Sequence, residues 1–172
     1  QVQMKVLFVT AWYPNEENQI SGIFVREFAK AVSLLNEVVV MHIKPYKDFK
    51  GRLYEVRDYK ERNLRVIQVY HKKLILHFFD RLLGIYLYWK VFRSLLKEKF
   101  IPDIINVHVH YAALPVILVN YFYRIPVAIT SHSTVFIDYP RMNWKNILKA
   151  RWIMKRADAI MPVSENLKKA IE

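Results

Sequence analysis

Side chains that can bind or transfer a chemical group follow four apolar segments of this chain. Histidines, hydroxyls and amides hydrogen-bond to sugar hydroxyls and phosphates, and histidine also exchanges protons near neutral pH. The residues in question are Trp12, Tyr13, Asn15, Ser21, Gly22, His108, His110, His132, Ser133, Thr134, Ser164 and Glu165. Because each group directly follows a predicted strand, we expect these side chains to meet at one edge of a sheet.

Gly22 stands where a loop enters a predicted helix, and this position suits a phosphate. The first turn of a helix offers free N–H groups and a positive dipole end, and glycine lets the backbone approach a ligand closely. The alternative interpretation is a turn glycine without a ligand.

The dinucleotide pattern GxGxxG and the Walker phosphate loop are both absent from the sequence, so an NAD-dependent enzyme and an ATPase lose their main support.

His132 ends a predicted strand and begins the polar run SHST. Its position supports equally a hydrogen bond to a sugar hydroxyl or leaving phosphate and a structural bond to backbone. His108 and His110 alternate along a strand end, so their side chains are predicted to point in opposite directions. Asn106, on the face of His108, is predicted to be buried scaffold.

The sequence shows neither metal-ligand spacing nor paired catalytic carboxylates, which disfavours a metal site and a hydrolase.

Composition narrows the class of protein further. The 172 residues are 53% apolar and carry a formal net charge of +12, and they include no cysteine. One domain with a full core is expected, and disulfides and thiol catalysis are excluded. The positive charge implies an anionic partner, which could be nucleic acid, a phosphorylated substrate or acidic lipid.

The elements that must position these residues alternate along the chain. Apolar patterns predict strands at 4–10, 37–43, 64–70, 101–108, 126–131 and 159–163, with helices at 24–32, 79–98, 111–123 and 143–156 and a final helix capped by Ser164. The highly charged segment 44–63 is predicted to be a loop that contains at most a short irregular element. This alternation predicts an α/β fold, a Rossmann-like three-layer α/β/α domain with a mainly parallel sheet.

Several motifs occur together in a specific order. They are KVLFVTAWYPNEENQISGIFVREFAKAV at the start, PDIINVHVHY, IPVAITSHSTVF and RADAIMPVSENLKKAI. In order and spacing they resemble glycosyltransferase family 4, the retaining group with the GT-B fold. The resemblance implies that residues 1–172 form the amino-terminal, acceptor-side domain. Because the last helical pattern runs to Glu172 without a stop signal, we expect a carboxy-terminal donor-binding domain to follow.

The resemblance also implies a reaction, a donor and roles for individual residues. Family members transfer a sugar from a nucleotide-sugar donor to an acceptor with retention, without an obligatory metal or other cofactor. By this resemblance Gly22, with Ser21, faces the donor diphosphate, and His132 lies beside the donor sugar as the catalytic residue. The implied acceptor-binding residues are Trp12, Tyr13, Asn15, His108, His110, Ser133, Thr134, Ser164 and Glu165. The family's Arg/Lys pair and two-glutamate motif belong to the carboxy-terminal domain, so the fragment alone is expected to be inactive.

The chain departs from the family pattern at three places. Ser133 replaces the glycine that usually follows the histidine, and Thr134 and Val135 stand where an acid is usual. Asn106 replaces the first histidine of the HxH pattern. These departures bear on acceptor contacts rather than on the fold.

Two segments combine cations with apolar side chains. Residues 71–99 carry seven Lys or Arg and two acids, and the segment 141–156 carries six cations and no acid. A helix buried against the sheet and its neighbours is one interpretation, and a patch that approaches an anionic membrane surface is the other. A glycan or lipid-linked acceptor fits the second, with a location in the cytoplasm or on the inner membrane face.

Two further functions compete with a transferase. Nucleic-acid binding is disfavoured because the aromatic residues sit in apolar runs and no recognised motif is present. A non-catalytic Rossmann-like module that binds an anionic metabolite or a partner protein remains the main alternative.

Overall fold

The computed structural model describes residues 3–46, 52–109, 112–132 and 143–171. In chain order the elements are β1 (Lys5–Thr10), α1 (Ile23–Ser33), β2 (Glu37–Tyr46), β3 (Tyr54–Glu61), β4 (Leu64–Lys72), α2 (His77–Lys97), β5 (Ile104–His108), α3 (Ala113–Asn120), β6 (Val127–Ser131), α4 (Trp144–Met154), β7 (Ala159–Pro162) and α5 (Glu165–Ile171).

The strands form one sheet in the order β3-β4-β2-β1-β5-β6-β7. All neighbouring pairs are parallel except β3 with β4, which is antiparallel. From β1 the chain builds outward in one direction through β2 and β4, and then in the other through β5, β6 and β7. The order therefore reverses between β1 and β5, and loops that leave the carboxyl ends of these strands border a crevice where ligands bind in such folds.

The sheet is covered on both faces. Along β1, Leu7 and Val9 belong to the larger core with α2 and α3, whereas Val6 and Phe8 belong to a second core with α1. This alternation follows from the two-residue period of a strand, and it explains why a strand buried on both sides is almost entirely apolar. The predicted three-layer Rossmann-like fold is confirmed.

The predicted loop at 44–63 is wrong in part. Tyr54–Glu61 forms β3 at the edge of the sheet, and β2 continues to Tyr46, so the described residues contain seven strands and not six. Most β3 side chains are exposed because the strand lies at the edge of the sheet with a single neighbouring strand, and for that reason it lacks an apolar pattern. Arg62 turns the chain into β4 with a φ of 55°.

Arg65 of β4 ties this edge strand to α2. Its Nε and Nη2 donate to the two carboxylate oxygens of Asp58 at 3.0 and 2.6 Å, and its Nη1 donates to Glu98 at 2.6 Å. The two carboxylates raise the pKa of the Arg65 guanidinium.

We expect Arg65→Gln to lower the free energy of unfolding by about 1 kcal/mol at low salt and by less at 1 M NaCl, because partly exposed ion pairs are screened. Urea denaturation at both salt concentrations measures this difference. Lys60→Gln is the matched control, since Lys60 lies opposite Arg65 on β3 and its replacement should change stability by less than about 0.5 kcal/mol. Equal effects of the two substitutions would contradict the role of Arg65.

Helix α2 is apolar around most of its circumference, and the structure shows which side packs. Leu87, Tyr88, Phe92 and Leu95 are fully buried. The opposite side carries exposed aromatic and aliphatic residues, among them Phe78, Phe79, Leu82 and Tyr86. Among the described helices, none has both the length and the apolar character needed to cross a membrane.

Candidate functional site

The loops after β1, β5 and β6 meet at the carboxyl edge of the sheet, beside the reversal point of the strand order. The ring of Phe24, in the first turn of α1, lies 4.3 Å from the ring of His132. His132 in turn contacts His108 at the end of β5. The start of α1 and both histidines therefore lie in contact at this edge of the sheet, with His108 fully buried behind His132.

Gly22 is the residue from which α1 starts. Its φ is +67°, and a Cβ built there would lie 2.2 Å from the carbonyl oxygen of Trp12. Only glycine fits this combination of left-handed backbone and close backbone contact. No side chain caps the amino terminus of α1, and its first turn has no acidic residue, so the positive end of the helix dipole faces the crevice without a neutralising group from this helix.

Asn15 organises the loop between β1 and α1. Its side-chain amide donates to the carbonyl of Tyr13 at 3.1 Å, and its Oδ1 accepts from the backbone N–H groups of Glu17 and Asn18, each at 3.1 Å. Tyr13 lies in the core with 1% of its surface exposed, and burial raises the pKa of its hydroxyl. In this structure both residues support the loop from within, and an acceptor contact by either one stays a prediction.

The second half of the site is a pair of histidines on neighbouring strands. His108 pairs with Thr130 across β5 and β6, so His132 lies two residues beyond that pair. Nδ1 of His108 is 3.1 Å from Nε2 of His132, and the ring of His108 stacks on Phe8. Burial lowers the pKa of His108 to about 3, with a further contribution from His132, and burial also lowers the pKa of His132. Both rings are therefore neutral at pH 7.

The neutral rings must share one proton between the facing nitrogens. Nε2 of His108 is buried and has no hydrogen-bond partner among the residues described. A proton on that atom would be a buried donor without an acceptor, which is unfavourable. The proton of His108 is therefore assigned to Nδ1, which donates to Nε2 of His132. His132 then carries its own proton on Nδ1, and this N–H is the donor that it can offer to a ligand.

Below this edge, His42 of β2 is fully buried, with Nε2 3.3 Å from the carbonyl oxygen of Ala11. Burial lowers the pKa of His42 to about 4, and the charge of Lys44 acts in the same direction. In the unfolded chain this pKa returns to about 6.5. Stability linked to His42 is therefore complete above pH 6.5 and is lost as the pH falls toward 4.

We expect the free energy of unfolding to fall with acidification by about 1.4 kcal/mol per pH unit from His42 alone. His42→Gln should reduce the slope of stability against pH between 6 and 4.5 by that amount. Urea denaturation at several pH values measures both slopes, and His77→Gln, at an exposed histidine, is the control. An unchanged slope in His42→Gln would contradict this assignment.

The other predicted residues lie as follows. Ser164 accepts from the N–H of Leu167 at 3.2 Å, which confirms it as the cap of α5, and Glu165 opens that helix. Asn106 is buried scaffold, as predicted, and accepts from the Thr130 hydroxyl at 2.9 Å. The ring of Trp12 packs edge-on to Phe24. His110, Ser133 and Thr134 lie outside the described residues.

A neighbouring pocket is not predicted by the polar residues at the strand ends. Its wall includes three residues from the middle of helices: Arg81, Gly84 and Lys149. The one available signal was Gly84, a glycine inside a strong helical pattern. Within the described part of the chain, no three His, Asp or Glu side chains come close enough together to hold a metal ion.

A sequence profile of the family described as Glycosyltransferase Family 4 matches residues 21–172. A search of curated proteins finds no significant match.

Solved structures share the fold at low sequence identity. One is described as "Trehalose-6-phosphate from E. coli bound with UDP-2-fluoro glucose" and has a TM-score of 0.54 at 11% identity, over 96% of this chain and 41% of that one. Sucrose-phosphate synthase from Thermosynechococcus elongatus has a TM-score of 0.54 at 13% identity, over 91% and 41%. An α,α-trehalose-phosphate synthase (UDP-forming) from Burkholderia vietnamiensis has a TM-score of 0.54 at 10% identity, over 96% and 41%.

The chain thus covers about two fifths of the length of each of these proteins. The fold is the α/β fold of GT-B glycosyltransferase domains.

Proposed function

This chain belongs to glycosyltransferase family 4, and from that premise we propose that it is the amino-terminal, acceptor-side domain of a retaining hexosyltransferase. The enzyme moves a sugar from a nucleotide-sugar donor to a glycan, glycolipid or lipid-linked acceptor. It needs no metal and no other cofactor. It acts in the cytoplasm or at the inner face of the membrane.

One observation carries the proposal. The uncapped start of α1 and the side chain of His132 lie at the same edge of the sheet, where the ring of Phe24 contacts the ring of His132. A nucleotide-sugar presents a diphosphate next to a hexose. The positive end of the helix dipole at Gly22 suits the diphosphate, and a histidine N–H suits a hydroxyl of the adjacent hexose.

The chemistry assigned to this domain is binding and orientation. We assign the diphosphate to the amino terminus of α1, where the backbone can approach it because Gly22 has no side chain. His132, fixed by His108, donates its Nδ1–H to the donor sugar. The acceptor lies on the carboxyl edge of the sheet, with its nucleophilic hydroxyl directed at the anomeric carbon.

The leaving diphosphate gains charge in the transition state, and stabilising that charge is usually the largest catalytic contribution. The dipole of one helix terminus supplies only part of it, and we assign the rest to a carboxy-terminal domain. Residues 1–172 alone are therefore expected to release little or no nucleotide.

The test is a donor screen on the full-length protein, with released nucleotide as the readout and residues 1–172 as the comparison. We expect release with one class of nucleotide-sugar by the full-length protein, and at most a background rate with the fragment. Normal turnover by the fragment would contradict the assignment of most diphosphate stabilisation to a carboxy-terminal domain. Binding of a metabolite without release of nucleotide from any donor would favour the non-catalytic module instead.

A further inference from the structure

A pocket of about 290 Å³ opens between the carboxyl ends of β1 and β2 and the helices α2, α3 and α4. We call it the α2 pocket. Its inner wall is apolar, with Val9, Ile43, Tyr88 and Leu114 among the lining residues. It lies on the face of the sheet that α2 and α3 cover, whereas Gly22 and α1 lie on the other face.

Two cations, Arg81 of α2 and Lys149 of α4, lie together in the wall of the α2 pocket. Burial lowers the pKa of Lys149, and the charge of Arg81 lowers it further. Neither cation has an ion pair or hydrogen bond within the described ranges. The nearby acid, Asp80, already accepts from the N–H of Leu74 at 3.1 Å and lies 3.9 Å from His71. Asp80 also lines the pocket, so the lining carries two cations against one acid, a net positive charge that an anionic ligand would neutralise.

Gly84 supplies an independent observation. It occupies the interior of α2, where glycine disfavours a helix, and a Cβ added there would meet no atom within 4 Å. No packing in the described structure requires glycine at this position. Gly84 lines the α2 pocket, so its missing side chain widens the space beside Arg81.

An apolar groove continues from the α2 pocket along the surface. Ile85 lines both, and Leu82, Tyr86, Trp89, Leu118 and Phe122 line the groove between α2 and α3. We call it the α2–α3 groove. Phe122 is 81% exposed and Tyr86 is half exposed. A cationic pocket that opens onto an exposed apolar groove matches a ligand with a phosphate at one end and a hydrocarbon chain at the other.

We propose that the α2 pocket binds the phosphate of an amphiphilic acceptor between Arg81 and Lys149, while the hydrocarbon chain of that acceptor lies in the α2–α3 groove. This inference rests on the proposed function, because it names the chemical class of the acceptor that this domain would bind. The α2 pocket selects the acceptor through its phosphate, and the α2–α3 groove adds affinity through apolar contact with the hydrocarbon chain.

The test measures binding of three probes to the full-length protein by isothermal titration calorimetry, below the critical micelle concentration. The probes are decyl phosphate, decyl glucoside and inorganic phosphate. We expect decyl phosphate to bind at least about tenfold more tightly than either other probe, because it alone satisfies both the pocket and the groove. Equal affinity for decyl phosphate and decyl glucoside would overturn the proposal.

Variants locate the binding site. Arg81→Gln and Lys149→Gln should each abolish the tenfold preference and leave decyl glucoside binding unchanged. Gly84→Ala, which suits a helix and keeps the protein folded, should weaken decyl phosphate several-fold by narrowing the pocket. Lys97→Gln, at an exposed cation in the last turn of α2, is the matched control and should bind like the wild type. A loss in Lys97→Gln equal to that in Arg81→Gln would overturn the proposal.

Vesicles separate the pocket from a general membrane patch. Binding to phosphatidylglycerol vesicles without any preference for monomeric decyl phosphate would mean that the cations act only as surface charge, which contradicts the pocket. None of these measurements needs a donor. Failure of nucleotide release would overturn the proposed function alone, and turnover on uncharged acceptors without phosphate preference would overturn only the present inference.

Discussion

His132→Ala in the full-length protein is expected to lower kcat by about 10²- to 10³-fold, the range typical of the loss of one hydrogen-bond donor that acts in the transition state. KM for the donor should change much less, because the diphosphate is held elsewhere. Steady-state nucleotide release at saturating donor measures both constants. His77→Ala, at an exposed histidine, is the control and should leave kcat unchanged. Retention of kcat within about threefold in His132→Ala would contradict the role given to His132.

His108 is expected to act through His132, as a positioning residue. Its Nδ1 lies 3.1 Å from Nε2 of His132, so His108→Phe removes the hydrogen bond while it keeps an aromatic ring against Phe8. We expect a smaller fall in kcat, about tenfold or more, with donor KM unchanged. His108→Asn, which retains a short hydrogen-bond donor, should recover part of the loss. A merely structural role would predict equal losses in both variants and a matching loss of thermal stability.

Gly22→Ala is expected to lower the free energy of unfolding by about 3 kcal/mol. Left-handed backbone costs a non-glycine residue about 1–2 kcal/mol, and the new Cβ would lie 2.2 Å from the Trp12 carbonyl oxygen, which forces overpacking that costs a further 1–3 kcal/mol or so. Urea denaturation at pH 7 measures the change. The start of α1 must also shift, so nucleotide release by the full-length protein should fall.

The same substitution at Gly84 provides a comparison for Gly22→Ala. There the added Cβ meets nothing within 4 Å, and alanine favours a helix over glycine by about 0.8–1.0 kcal/mol. Gly84→Ala should therefore stabilise the protein by up to about 1 kcal/mol, opposite in sign to Gly22→Ala. A loss of stability in Gly84→Ala similar to that in Gly22→Ala would contradict the open space beside Gly84, and an unchanged stability in Gly22→Ala would contradict the role of Gly22.

Most strands could be predicted because they are buried on both faces. Segments such as β1, β2, β4 and β6 must be nearly continuous apolar runs, since a parallel strand in the middle of a three-layer domain contacts helices on either side. β3 could not be predicted in this way. An edge strand needs only one hydrogen-bonded neighbour, and the charged residues of β3 are compatible with strand or loop until β4 is in place beside it.

Helix α2 illustrates a different limit. Its apolar residues lie nearly all round the helix, so periodicity predicts a helix without predicting its buried side. The structure buries Leu87 and Phe92 and leaves Phe78 and Tyr86 exposed. That choice depends on the angle at which α2 crosses the sheet, and it decides whether the aromatic residues form core or a surface groove.

The candidate site also has features that local sequence pattern predicts and features that only tertiary contacts decide. The sequence by itself determined the fold class, the family motifs, the placement of Gly22 at a helix start and the placement of His108 and His132 at strand ends, because these depend on local pattern and on the edge that parallel strands share. Only the tertiary structure decided that His108 hydrogen-bonds His132, that Gly22 lies against the Trp12 backbone, and that Arg81 meets Lys149 across a pocket. Each of these contacts joins residues at least ten positions apart. Such contacts depend on strand register and helix packing, which no local pattern specifies.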